Sequence, residues 1–105
     1  MKEKTKDIIA RGNTVIMPTY ARFPIVFDHG NGCVLTDTEG KNYLDFVGGI
    51  AVNCLGYNDP GLNKTISDQC KKMMHVSNLY WNEPMINTAE LLTKLSGLDK
   101  VFMCN

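Results

Sequence analysis

Apolar side chains recur at Leu62, Ile66, Cys70 and Met73, at helical intervals that lay one stripe along a helix from Pro60 to Met74. Asn58-Asp59-Pro60 marks its start, with Asp59 as cap and Pro60 in the first turn. A second helix follows Glu83-Pro84, with Met85, Ala89, Leu92 and Leu95 on one face and Gly97 as terminator. Between the two lies an aromatic loop, Val76 to Asn82. At the other end of the chain, Lys2 to Ala10 reads as a short amphipathic helix carrying Ile8 and Ile9, with Gly12-Asn13 as the stop signal. Residues 14–26 lack helical spacing and contain Pro18 and Pro24, so an extended arm is expected.

Three short strand signals come next: Ile25 to Asp28, Cys33 to Asp37 and Asn42 to Phe46. The spacers His29-Gly30-Asn31-Gly32 and Thr38-Glu39-Gly40-Lys41 carry chain-reversing glycines, which predicts an antiparallel meander. Gly48-Gly49, set among Val47 and Ile50-Ala51-Val52, allows either a simple bend or a close backbone approach at a site. Val101 to Cys104 reads as a buried strand. A continuous apolar strand after a helix opens a parallel α/β unit, which needs further strands and helices to cover it. The expectation is therefore a truncated part of a larger α/β domain.

Composition narrows the function classes. With 44% apolar and 21% charged residues in 105, the chain is an ordinary globular mixture, but a core of this size leaves much surface uncovered. Eleven basic and eleven acidic residues balance, which removes the electrostatic case for nucleic acid or an anionic membrane. Lys2, Lys4 and Lys6, interrupted by Glu3, read as a solvated helix face. Cys33, Cys54, Cys70 and Cys104 form no close-spaced pair, so no metal site is expected and free thiols in a reducing compartment fit. With neither a membrane-length apolar run nor a secretory leader pattern, a soluble cytoplasmic protein is expected. No nucleophile elbow, dinucleotide fingerprint or phosphate loop is present either.

Three stretches then carry a resemblance: Tyr20-Ala21-Arg22-Phe23-Pro24, Thr36-Asp37-Thr38-Glu39-Gly40-Lys41-Asn42-Tyr43-Leu44-Asp45-Phe46, and Gly49-Ile50-Ala51-Val52-Asn53 with Leu55-Gly56-Tyr57. In order and spacing they resemble the start of class III pyridoxal-phosphate-dependent aminotransferases. His75-Val76-Ser77-Asn78-Leu79-Tyr80-Trp81-Asn82-Glu83-Pro84 is similar to a loop of the acetylornithine aminotransferase subgroup. The resemblance runs from about Met17 to Asn105.

It implies the N-terminal segment of a fold type I transferase, an incomplete domain in which residues 1–60 are the arm and meander of the small domain. Residues 61–105 are then the start of the large cofactor-binding domain. The implied reaction moves an amino group from N-acetylornithine to 2-oxoglutarate in arginine biosynthesis. Succinylornithine, ornithine or 4-aminobutyrate are the alternative donors, and a non-catalytic dimer-interface segment is the alternative role. The implied cofactor is pyridoxal 5'-phosphate, in a homodimer. The family's phosphate-binding turn, Schiff-base lysine, pyridine-pairing aspartate and carboxylate-binding arginine have no counterpart among these residues, and Lys64, Lys71, Lys72, Lys94 and Lys100 lie in no matching context. No catalytic, cofactor-binding or metal residue is thus expected here, and the isolated chain is expected to be inactive. The resemblance does place Ile50 and Trp81 at the substrate pocket. Trp81 stands where the subgroup more often has tyrosine, and Tyr57 where a histidine-containing stretch is usual.

Overall fold

The computed structural model describes residues 1–104, which group into two compact units, residues 1–66 and 67–104. The first holds α1 (Glu3–Val15), the strands β1 (Phe27–Asn31), β2 (Val34–Asp37) and β3 (Asn42–Leu44), a single turn α2 (Gly48–Ala51) and the beginning of α3 (Pro60–Lys72). The strands pair antiparallel in the order β1-β2-β3, with Asn31 opposite Val34 and Leu35 opposite Tyr43. The expected meander is there, but the first turn is tighter than expected. β1 runs on to Asn31, so only Gly32 and Cys33 form the loop. Gly32 takes φ 54°, the left-handed first position that a two-residue hairpin needs, and an irregularity between Phe27 and His29 absorbs the register change.

The second turn is built on Asp37. Its Oδ1 accepts from the Glu39 and Lys41 amides (2.8 and 2.9 Å), and its Oδ2 accepts from the Tyr43 hydroxyl (2.9 Å). These donors hold the carboxyl below its usual range, the Lys41 amide foremost. α1 docks onto this turn. The Lys2 amide donates to Glu39 Oε1 (2.6 Å), its ammonium to the Glu39 carbonyl (2.9 Å), and the Thr5 and Thr38 hydroxyls share a hydrogen bond of 2.9 Å. α1 also outlasts the expected stop, passing through Gly12 and Asn13 to Val15. Glycine lowers helix stability without forbidding the helix, and the chain leaves only at Ile16, ahead of Pro18.

In the second unit α3 ends at Lys72, where the Gln69 side chain donates to the Met73 carbonyl (2.8 Å). α4 (Glu83–Ser96) starts at Asn82, whose Oδ1 accepts from the Met85 amide (2.9 Å), and stops at Gly97 with φ 73°. Residues 101–104 were expected as a strand. Among the described residues they have no strand to pair with, and without a ladder they run as irregular chain.

Among the described residues no apolar side chain is buried, and Thr5, 3% exposed, is the one buried residue. Polar turns and backbone ladders therefore organise the first unit, while Phe23, Phe46, Trp81 and Phe102 all stand open. No helix among the described residues is long and apolar enough to cross a membrane.

Candidate functional site

The most constrained local structure lies between β3 and α3. The pairing of β2 with β3 runs one residue past Leu44, where the Asp45 amide donates to the Cys33 carbonyl (2.9 Å) in register with the Val34–Leu44 pair. Asp45 then uses both carboxylate oxygens. Oδ1 accepts from the amides of Val47 (2.8 Å) and Gly48 (3.0 Å), and Oδ2 accepts from the Tyr57 hydroxyl (2.6 Å). Tyr57 is itself pinned by its backbone. Its amide donates to the Gly32 carbonyl (2.8 Å) and its carbonyl accepts from the Gly32 amide (2.9 Å), an isolated bridge to the hairpin tip. The ring lies so close over Gly30 that a β-carbon there would stand 2.6 Å from Cγ of Tyr57. Glycine at 30 is what allows the ring to lie against the strand.

These contacts enclose α2, whose residues Gly48, Gly49, Ile50 and Ala51 have φ of 54°, 64°, 68° and 61°. The turn is left-handed, closed by bonds from the Ile50 and Ala51 amides to the Val47 carbonyl and from the Val52 and Asn53 amides to the Gly48 carbonyl. Two glycines take this conformation freely. A β-branched Ile50 does not, and strain of about 1–3 kcal/mol is typical of such a residue. Ile50 is nevertheless 84% exposed, so the strain serves no internal packing. Asp45, with Tyr57 as the first cause and the Gly48 and Val47 amides behind it, is held ionised below its usual range. The same bond, with desolvation behind it, pushes Tyr57 up.

Trp81 belongs to the second unit, on the segment 73–82 that leads into α4, and is also 84% exposed. That segment is shaped by a Ser77 amide donating to His75 Nε2 (3.2 Å), by Ser77 itself at φ 66°, and by an Asn78 side chain donating to the Met103 carbonyl (3.1 Å). Beside it an open cavity of about 330 Å³ is lined by His75, Ser77, Asn78, Met103 and Cys104. A phosphate-bearing cofactor needs a cation or a cluster of free amide donors. This lining offers an imidazole, a hydroxyl, an amide and a thiol, with no lysine or arginine, and so does not by itself fit such a group.

The class III aminotransferase family model matches residues 15–105. The chain belongs to the class III aminotransferases. An acetylornithine aminotransferase of Clostridium acetobutylicum is 53% identical over 90 residues, 86% of this chain and 23% of that protein. One from Gloeobacter violaceus is 49% identical, again over 86% of the chain and 22% of the relative. Among solved structures, Plasmodium falciparum ornithine delta-aminotransferase superposes with a TM-score of 0.90 at 27% identity, covering 96% of this chain and 26% of that one. The chain thus spans about a quarter of the length of the relatives it matches.

Within this class III segment, Ile50 gains a setting that its spacing alone did not supply: the β-branched side chain of a left-handed turn shared with Gly48, Gly49 and Ala51. Asp45 and Tyr57 carry no role in the sequence reading. An aspartate just ahead of a glycine-rich turn is an available signal for an Asx turn and marks Asp45. Nothing local marks Tyr57 as its partner, twelve positions along.

Proposed function

We propose that this chain is the N-terminal part of a pyridoxal-phosphate-dependent transaminase that moves the amino group of N-acetylornithine to 2-oxoglutarate, in arginine biosynthesis. The protein works as a cytoplasmic homodimer. Residues 1–60 belong to its small domain and 61–105 open its large domain. The reading is carried by family membership over residues 15–105 together with identities near 50% to proteins named acetylornithine aminotransferase. The cofactor is held by parts of the complete protein other than these residues, since the cavity beside Asn78 offers neither lysine nor arginine.

Ile50 and Trp81 face the amino donor in this reading. An aliphatic wall suits an acylated, uncharged α-nitrogen, because an unpaired ammonium against it would lose its hydration without compensation. Ornithine is the second reading, supported by the superposition on an ornithine aminotransferase. The test is glutamate formation by the complete, cofactor-loaded protein with each donor. N-acetylornithine is expected to exceed ornithine by about tenfold or more in kcat/KM, the ratio that one unfavourable polar contact of ~1.4 kcal/mol sets. Parity or a preference for ornithine would transfer the assignment to the second reading. Residues 1–105 alone are expected to turn over neither donor.

A further inference from the structure

The left-handed turn α2 raises a question that the proposed reaction leaves open: what keeps Ile50 in a conformation its own side chain resists. Four consecutive positive φ values do not persist in an L-residue chain unless the surroundings over-determine them. Here the surroundings are a short closed circuit. The hairpin tip holds Asp45 through Cys33 and Tyr57 through Gly32, and Asp45 and Tyr57 close on each other. The free carboxylate oxygen of Asp45 then receives both amides that enter the turn.

We propose that Asp45 and Tyr57 are positioning residues for substrate selection: their hydrogen bond locks the left-handed turn Gly48–Ala51 and so sets the direction in which Ile50 faces the amino donor. The second half of this statement rests on the placement of Ile50 at the donor. The first half stands on geometry alone. Asp45 and Tyr57 bond to each other and to the entry of the turn. Their effect passes through the backbone of residues 47–51, which is why it is read in selectivity and in local opening.

The chemistry of the pair separates a clamp from a merely structural contact. In Tyr57→Phe the ring stays over Gly30 while the bond to Asp45 is gone. In Asp45→Asn the Oδ1 atom still accepts from Val47 and Gly48, and the new Nδ2 group donates to the Tyr57 oxygen, so the circuit survives with the donor direction reversed. Asp45→Ala breaks it at all three points.

The experiment uses the complete, cofactor-loaded protein with two readouts: amide hydrogen exchange of residues 47–53, and the ratio of kcat/KM for an N-acylated over a free α-amino donor. Tyr57→Phe is expected to speed exchange in 47–53 by roughly tenfold, the size of one lost hydrogen bond to a charged group, and Asp45→Ala, which loses three, by more, with α4 unchanged. The donor ratio is expected to fall by about the same factor, through KM more than kcat. Asp45→Asn is expected to restore both within about threefold. Unchanged exchange in Tyr57→Phe overturns the clamp. Faster exchange with an unchanged donor ratio overturns the positioning role, provided Ile50→Ala does shift that ratio. If Ile50→Ala leaves the ratio unchanged, the placement of Ile50 at the donor fails instead, and exchange alone decides the clamp.

Discussion

Replacing Gly56 by alanine tests whether the bridge between the hairpin tip and Tyr57 holds this region together. Gly56 sits at φ 75°, where a β-carbon costs about 1–2 kcal/mol through contact with the following carbonyl. The same β-carbon would stand 2.7 Å from the Gly32 carbonyl oxygen, 3.0 Å from its carbon and 3.2 Å from its Cα. These are backbone atoms and cannot rotate aside. Relief requires parting Gly32 from Tyr57 and so losing bonds of 2.9 and 2.8 Å, each contributing roughly 1 kcal/mol net. The expected loss is about 3–4 kcal/mol of local stability. Two other glycines calibrate it. Gly40 also has positive φ, 88°, but an added β-carbon meets nothing within 4 Å, so Gly40→Ala shows the backbone penalty alone, about 1–2 kcal/mol. Gly12 lies inside α1 with equally open space, and Gly12→Ala should stabilise by about 0.5–1 kcal/mol. Amide hydrogen exchange of the complete protein, resolved over residues 3–16 and 27–57, reads all three. A Gly56→Ala variant no more open than Gly40→Ala would refute the argument, since it would mean the bridge carries no load.

Further outcomes are expected from single groups. Asn82→Ala removes the side-chain cap on the Met85 amide and should weaken the first turn of α4 by about 1 kcal/mol, while Asn82→Asp should retain it; exchange at residues 83–87 measures both. Thr5→Val deletes the hydroxyl shared with Thr38 at the one buried position among the described residues, and should loosen α1 from the β2–β3 turn by about 1 kcal/mol, seen as faster tryptic cleavage after Lys4, Lys6 and Arg11. Asp45 has a lowered pKa when folded, so its stabilisation is present above its unfolded value of 3.8 and disappears as pH falls through the folded value. Tyr57 has a raised one, so its contribution is present below 10.0 and disappears as pH rises through the folded value. Exchange of residues 47–53, corrected for its intrinsic pH dependence, should therefore be slowest between about pH 4 and 10 and accelerate outside that window; a monotonic profile would contradict the pairing.

Signals confined to a few neighbouring residues were legible in the sequence. Asp59 caps α3 through a bond from the Leu62 amide (2.7 Å), Pro60 opens that helix and Gly97 closes α4, each because a helix end is satisfied by groups within one turn of it. The meander was legible for the same reason, through its glycine spacers. Local rules misplaced the boundaries where a residue is merely permissive. Gly12 can end a helix but does not have to, and His29 to Gly32 can turn a chain at more than one point. The strand expected at 101–104 depends on a neighbour that the described residues do not include.

The family, too, was determined by the sequence itself, since the class III model matches residues 15–105, the stretch that holds the ordered motifs from Tyr20 to Pro84, whatever the chain folds against. Only the tertiary structure decided how Ile50 is presented. The hand of its turn depends on Gly32, Cys33, Asp45 and Tyr57 meeting in space, and a short hydrogen bond between residues twelve apart has no local periodicity to announce it. Two adjacent glycines permit a left-handed turn; a carboxylate that binds two amides at its entry and a tyrosine at its exit is what selects it.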